Sequence, residues 1–167
     1  MVATVFPASL FDRLLLNGVK GEVWMEPGVT ETGLRDTMAV FYDKEEPDGA
    51  VALVLGAGNI SSITPLDVLY KMVAEGQVCI VKMNPVNEYL GPIFEEIFSE
   101  LIDRGFVRFV YGGADVGAYL TNHPGVDEIH MTGSERTFNA IVFGTGNEGE
   151  ARRRNNQPVN TRRISAE

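Results

Sequence analysis

The chain has 167 residues, of which 44% are hydrophobic and 22% are charged, a composition typical of a folded globular protein. Its formal net charge is −9. The last seventeen residues hold five arginines and a single acidic residue, so the remainder of the chain is more acidic than the whole. Since an acidic surface repels a phosphate backbone, we expect no nucleic-acid partner.

The single cysteine, Cys79, excludes an internal disulfide and the zinc patterns that need several cysteines, and we expect no metal site. No apolar run approaches the ~20 residues that a membrane helix requires. Residues 1–5 show no basic region ahead of an apolar one, so we expect no signal peptide. These features predict a cytoplasmic protein that does not enter the membrane.

The first part of the chain, residues 1–47, contains no recognisable chemistry. Within it, Pro7–Leu16 is predicted to be helical and Gly21–Met25 to be a strand. We leave this N-terminal segment without a fold assignment. Residues 48–167 are predicted to form a separate domain.

From residue 50 onward, apolar runs alternate with helical patterns. Ala50–Leu55 is continuously apolar, as expected of a strand that is buried on both faces. A helix is then predicted with Thr64 as its N-cap, Pro65 in its first turn and Gly76 at its end. Its expected apolar face consists of Leu66, Leu69, Met72 and Val73.

The remaining elements continue the alternation. Val78–Lys82 is a second predicted strand, and one long helix should follow, with an apolar face formed by Leu90, Ile93, Phe94, Ile97, Phe98, Leu101 and Ile102. Further predicted elements are a strand at Val107–Val110, a helix at Asp115–Thr121, a strand at Val126–Met131, a helix at Ser134–Phe143, an exposed loop at Gly144–Pro158 and a strand at Thr161–Ala166. The alternation predicts an α/β fold, a Rossmann-like parallel sheet with helices on both faces.

A glycine turn, Gly56–Ser61, follows the first buried strand. It departs from the usual dinucleotide fingerprint, because Ser61 replaces the third glycine and Lys82, not an acid, ends the second strand. The turn is therefore either a tight connection without a ligand or part of a different site. Asn59 favours a site, since open α/β sheets bind ligands at their strand ends.

Two later glycine segments precede or enter predicted helices: Gly112-Gly113 with Gly117, and Thr132-Gly133-Ser134. Helix N-termini with small residues bind phosphate through free backbone N–H groups and the helix dipole. Each of these features is weak alone.

Taken in order and spacing, these features resemble the aldehyde dehydrogenase superfamily over about residues 48–167. Asn59 matches the asparagine of the family's Pro-Trp-Asn motif, and the segment ending in Lys82 resembles its lysine-bearing strand. Residues 123–127 (HPGVD) and 131–134 (MTGS) resemble two further family motifs, and residues 163–167 (RISAE) resemble the approach to the family's general-base glutamate.

The resemblance implies an aldehyde dehydrogenase type of fold and reaction. An enzyme cysteine attacks a small aldehyde, a hydride passes to NAD or NADP, and water hydrolyses the thioester. By resemblance, Asn59 donates to the oxyanion and Glu167 is the general base. The cofactor would be bound by Lys82 at its ribose and by Asn84, Gly113, Gly117, Gly133 and Ser134 along its adenosine and pyrophosphate.

Three positions depart from the family pattern. The nucleophile should follow Glu167, so we expect the chain to be a fragment that is inactive alone, with Cys79 a core residue. Gly58 replaces the family tryptophan and is expected to leave more room. Pro85 replaces a ribose-binding glutamate, which favours NADP, but Glu88 could substitute for it, so NAD and NADP both stay open.

Two alternatives accompany this hypothesis. The complete protein could be an acyl-CoA or acyl-phosphate reductase of the same superfamily, which runs the reaction in reverse. It could also be a cofactor-binding module with no catalysis of its own. The resemblance further implies a homo-oligomer for the complete enzyme.

Overall fold

The computed structural model describes residues 1–38 and 40–167, which separate into two compact units, Met1–Glu45 and Glu46–Glu167. In the first unit, β1 (Val2–Phe6) pairs antiparallel with β2 (Gly21–Trp24). Helix α1 (Leu10–Leu15) lies between them in sequence, and α2 (Glu31–Asp36) follows. The sequence patterns predict α1 and β2 but miss β1 and α2, which are short and contain no fully buried residue.

The second unit is built on five parallel strands, in the spatial order β5-β4-β3-β6-β7. The strands are β3 (Val51–Leu55), β4 (Val78–Lys82), β5 (Val107–Val110), β6 (Glu128–Met131) and β7 (Arg163–Ala166). The α-helices are α3 (Ile63–Val73), α4 (Gly91–Ile97), α5 (Ser99–Asp103), α6 (Ala114–Asn122), α7 (Glu135–Phe143) and α8 (Gly146–Arg154), with a 3₁₀ helix at Pro85–Leu90.

Each face of this sheet has its own hydrophobic core, because successive side chains of a strand point to opposite faces. Ala52 and Val54 of β3 pack on one face with residues of α3, α4 and α5. Leu53 packs on the other face with residues of α6 and α7. The predicted α/β fold, a parallel sheet with helices on both faces, is therefore confirmed.

The strand order changes direction at β3. Strands β4 and β5 lie successively on one side of it, whereas β6 and β7 lie on the other. A crevice opens at such a reversal, beyond the carboxyl ends of the two strands, and open α/β sheets bind their ligands there. Within residues 1–38 and 40–167, no helix is long and apolar enough to cross a membrane.

The predicted start of α3 is wrong, and its predicted apolar face is correct only for Met72, which packs against the core. The helix begins one residue before Thr64, with Ser62 as its N-cap, and Thr64 lies inside the helix against Gly56. The buried side chains of α3 are Thr64, Val68 and Lys71, whereas Leu66, Leu69 and Val73 are exposed. Two polar residues can occupy the buried face because Thr64 packs on a glycine and Lys71 is paired with carboxylates.

Two further predictions of local structure are corrected. The single long helix is instead the 3₁₀ helix followed by α4 and α5, which separate at Phe98. The expected loop at Gly144–Pro158 contains α8, where Glu148–Arg152 and Glu150–Arg154 form ion pairs one turn apart. Its close approach to the preceding turn requires glycine, since a Cβ at Gly149 would lie 2.3 Å from the carbonyl oxygen of Gly144.

Buried charges are paired at the edge of the sheet where the strands begin. Lys71 of α3 is 0% exposed, and its ammonium donates to the carboxylates of Glu75 and Glu128. Arg163, the first residue of β7, bonds to the same two carboxylates at 3.0 Å. Two cations thus balance two anions, and the network joins α3, β6 and β7.

Cys79 lies in the middle of β4 and is 3% exposed. Burial raises the pKa of its thiol to about 12, and the positive charge of Lys71 opposes this shift only in part. The prediction that Cys79 is a core residue is confirmed.

Replacement of Lys71 by methionine should lower the free energy of unfolding by about 3 kcal/mol, because it leaves the buried Glu128 with fewer cationic partners. Replacement of Arg154 by methionine is the control. It breaks an ion pair between exposed side chains and should cost less than about 0.5 kcal/mol. Urea denaturation followed by circular dichroism measures both values, and equal effects would contradict the proposed stabilising role of the network.

Cys79 should resist thiol reagents in the native protein at pH 8. Its raised pKa leaves about a thousandfold less thiolate than in the unfolded chain. An aromatic disulfide reagent should therefore label Cys79 rapidly in concentrated guanidinium chloride and only on unfolding in buffer. Rapid labelling of the native protein would show that the strand does not protect this thiol.

Candidate functional site

A cleft of about 1110 Å³ lies at the carboxyl edge of the sheet, and we call it the carboxyl-edge cleft. Segments that follow all five parallel strands contribute to its lining. Every site residue predicted from the sequence is in that lining: Asn59, Lys82, Asn84, Gly113, Gly117, Gly133, Ser134 and Glu167. The parallel register of the sheet brings these residues together from positions more than one hundred residues apart.

Asn59 lies in the loop after β3 and is exposed. Its side-chain oxygen accepts a hydrogen bond of 3.0 Å from the backbone N–H of Ile60. This bond leaves the side-chain NH₂ group as the free end of the amide. Among the described residues, no acceptor is bonded to that group, so Asn59 can donate to a ligand in the cleft.

The expectation that Gly58 leaves extra room is wrong. A Cβ at this position would lie 2.9 Å from the side-chain nitrogen of Asn84, which already fills the space. The side-chain oxygen of Asn84 in turn accepts from the backbone N–H of Val86, at 3.1 Å, and so caps the 3₁₀ helix. Glycine at 58 thus allows the loop of Asn59 to pack on the strand end of Lys82.

Lys82 ends β4 and is 7% exposed, yet it lines the cleft. Burial lowers the pKa of its ammonium, whereas the negative charges of Glu88 and Asp115 act in the opposite direction. In the part of the chain that the structure describes, no carboxylate forms an ion pair with it. The ammonium is therefore available to a ligand.

Two helices direct their N-termini toward this edge. Helix α6 begins after Gly113 without a side-chain cap, and Gly112 has a φ of +123°, a conformation that favours glycine. The N–H of Gly112 donates to Glu88 at 2.7 Å, which holds the turn in place. Helix α7 begins after Ser134, whose hydroxyl accepts from the N–H of Thr137.

Glu167 follows β7, and its backbone is held on both sides. Its N–H donates to the carbonyl of Met131 at 3.0 Å, and its own carbonyl accepts from Gly133 at 3.1 Å. One step earlier in the sheet, His130 Nδ1 and the hydroxyl of Ser165 share a hydrogen bond of 2.8 Å. These contacts fix the end of β7 against β6 and place Glu167 in the cleft lining.

Two charged cleft residues are absent from the sequence-based prediction, Asp115 and Arg136. The sequence pattern marks Asp115 only as part of a helix, although its place two residues after Gly113 is a signal for a site at the strand end. Arg136 lies in the first turn of α7, and its only signal was its nearness to Ser134. Within the described residues, no three His, Cys, Asp or Glu side chains gather so as to hold a metal ion.

Known proteins are similar to part of this chain in sequence. The chain is 30% identical over 97 residues to the aldehyde dehydrogenase LUC3 of Fusarium sp, covering 58% of this chain and 20% of that protein. It is 32% identical over 105 residues to the 4-trimethylaminobutyraldehyde dehydrogenase of Oryzias latipes, covering 62% of this chain and 21% of that protein. The chain therefore spans about a fifth of the length of these relatives.

One solved structure is similar to part of this chain. It is a 3,6-anhydro-L-galactose dehydrogenase in complex with NAP, with a TM-score of 0.48 and 19% sequence identity, over 71% of this chain and 23% of that one. The family assignment itself comes from the model of the aldehyde dehydrogenase family, which matches residues 25–149, about three quarters of the chain. The chain belongs to the aldehyde dehydrogenase family.

Proposed function

We propose that the second unit binds NAD or NADP in the carboxyl-edge cleft, as part of an enzyme that oxidises a small aldehyde to an acid. The main support for this proposal is that all eight residues identified from the motifs line one cleft, which lies at the carboxyl ends of five strands. The names of the relatives agree with the substrate class, since one of them is named for 4-trimethylaminobutyraldehyde.

The residues of the cleft fit a dinucleotide. The volume of the cleft lies just above the range of about 300–1,000 Å³ that is typical of small-molecule sites. The start of α6 has no side-chain cap, so its first backbone N–H groups can donate to an acceptor on the cofactor. Lys82 offers an ammonium, with no ion pair to break among the described residues.

The nicotinamide, when bound, accepts the hydride that the aldehyde carbon loses. The residues of this chain would act around that event. The free NH₂ group of Asn59 donates to the oxygen of the aldehyde as negative charge develops there, a contribution of about 3–4 kcal/mol in comparable sites. The carboxylate of Glu167 takes a proton from the attacking thiol or from water.

The geometry of Glu167 suits this role because its backbone is held while its side chain is exposed at the cleft. Cys79 cannot supply the nucleophile, since it is buried in β4 and its thiol is protonated at neutral pH. The proposal therefore assigns the thiol to a residue outside these 167.

Replacement of Lys82 by alanine should raise the Kd for NAD and for NADP at least tenfold, because the ribose loses its cationic partner; this is about 1.4 kcal/mol. Replacement of Arg104 by alanine is the matched control, since it removes an exposed cation outside the cleft lining and should leave both constants unchanged. Isothermal titration calorimetry measures both. Unchanged binding in the Lys82 variant would remove Lys82 from the site.

The 167-residue chain should show no oxidation of aldehydes with NAD or NADP, because its one cysteine is buried and protonated. The measurement is NADH or NADPH formation with short aliphatic and aromatic aldehydes, with an intact relative as positive control. Turnover that survives in a Cys79→Ala variant would contradict the cysteine mechanism. Turnover that this variant abolishes would contradict the assignment of Cys79 to the core.

A further inference from the structure

We propose that Asp115 is the carboxylate that binds the hydroxyls of the adenosine ribose, so that the cleft prefers NAD to NADP. This inference rests on the proposed function, since it assumes that a dinucleotide occupies the carboxyl-edge cleft. It decides between two cofactors that the motifs leave open.

Dinucleotide sites distinguish the two cofactors through one polar contact. A carboxylate that accepts hydrogen bonds from the ribose hydroxyls selects NAD, whereas a cation in its place accommodates the 2′-phosphate of NADP. In this chain, Pro85 occupies the position where the sequence motif would put that carboxylate, and it opens the 3₁₀ helix. The carboxylate must therefore come from elsewhere or be missing.

Glu88 is the nearest substitute in sequence, but the structure gives it another contact. One of its oxygens accepts the N–H of Gly112 at 2.7 Å, and Glu88 is not among the residues that line the cleft. Glu88 therefore supports the glycine turn before α6 and does not line the cleft.

Asp115 meets the requirements that Glu88 does not. It lies in the first turn of α6, it is exposed, and it lines the cleft together with Lys82. In the described part of the chain, no side chain or backbone N–H donates to its carboxylate, so both oxygens can accept from ribose hydroxyls. Its charge acts on Lys82, as does that of Glu88, which has the larger effect, but of these two carboxylates only Asp115 lines the cleft with Lys82.

The neighbouring glycine keeps this carboxylate accessible. A Cβ at position 113 would lie 3.0 Å from Asp115 Oδ1 and would crowd it. At Gly117, one turn further along α6, a Cβ would meet no atom within 4 Å, so the helix surface beside Asp115 is open. A ribose can therefore approach the carboxylate along this side of α6.

The charges near Lys82 disfavour the additional 2′-phosphate of NADP. The negative charges of Glu88 and Asp115 both act on the ammonium of Lys82, so two carboxylates lie near this one cation. A 2′-phosphate would add about −1.5 to −2 charges beside two carboxylates. Arg136 also lines the cleft, but it is not among the charges that act on Lys82.

The test is titration of the 167-residue chain with NAD and with NADP by calorimetry at low ionic strength. We expect the wild-type chain to bind NAD at least tenfold more tightly than NADP. In an Asp115→Asn variant, NAD binding should weaken and NADP binding should not, so that the ratio of the two constants falls toward one. Asp103→Asn, which removes the same charge from α5 outside the cleft lining, should keep the wild-type ratio.

The outcomes separate this inference from the proposed function. Saturable binding with equal affinities, or with a preference for NADP, would overturn the role of Asp115 and leave the dinucleotide site standing. So would a wild-type ratio in the Asp115→Asn variant, or an equal loss of preference in the Asp103→Asn control. An absence of saturable binding for both nucleotides, in a chain shown by circular dichroism to be folded, would overturn the proposed function and the inference with it.

Discussion

The parallel register of the five-stranded sheet is the constraint on which the candidate site depends. Strand β3 pairs with β4 on one side and with β6 on the other, so the carboxyl ends of all three meet at one edge. Asn59 and Ser134 lie in the loops after β3 and β6, and Lys82 is the last residue of β4. These three residues therefore meet at this edge although they are distant in sequence. A slip of one residue would move every side chain of β3 into the core on the opposite face, so the packing of both hydrophobic cores holds the register and thereby the site.

Charged side chains at the two edges of the sheet differ in whether they form ion pairs. At the edge where strands begin, Lys71 and Arg163 are paired with Glu75 and Glu128, and the charges cancel within the network. At the opposite edge, the ammonium of Lys82 has no ion-pair partner among the described residues. The first edge is suited to hold the fold together, and the second to bind a polar ligand.

Much of the fold was predictable because strands and helix starts carry local signals. The predicted boundaries of β4 and β5 are those of the structure, since both are short segments rich in Val, Ile and Phe that follow a glycine at the end of a helix. The buried face of α3 was not predictable: burial of Lys71 depends on carboxylates that arrive from β6, far along the chain. Helix α8 was missed because its glycines mask a pattern of paired glutamates and arginines.

The sequence by itself determined the fold class, the buried state of Cys79 and, through its ordered motifs, eight of the residues that line the cleft. These three features can be predicted from the order of the motifs, because each depends on a few residues that are neighbours in sequence. The tertiary structure alone decided how those residues are supported and which of the two carboxylates that act on Lys82 lines the cleft. Glu88 lies nearer to Lys82 in sequence, yet it is bonded to Gly112, whereas Asp115 lines the cleft. Only packing distinguishes them, because both the contact that occupies Glu88 and the exposure of Asp115 arise when the ends of β4 and β5 come together.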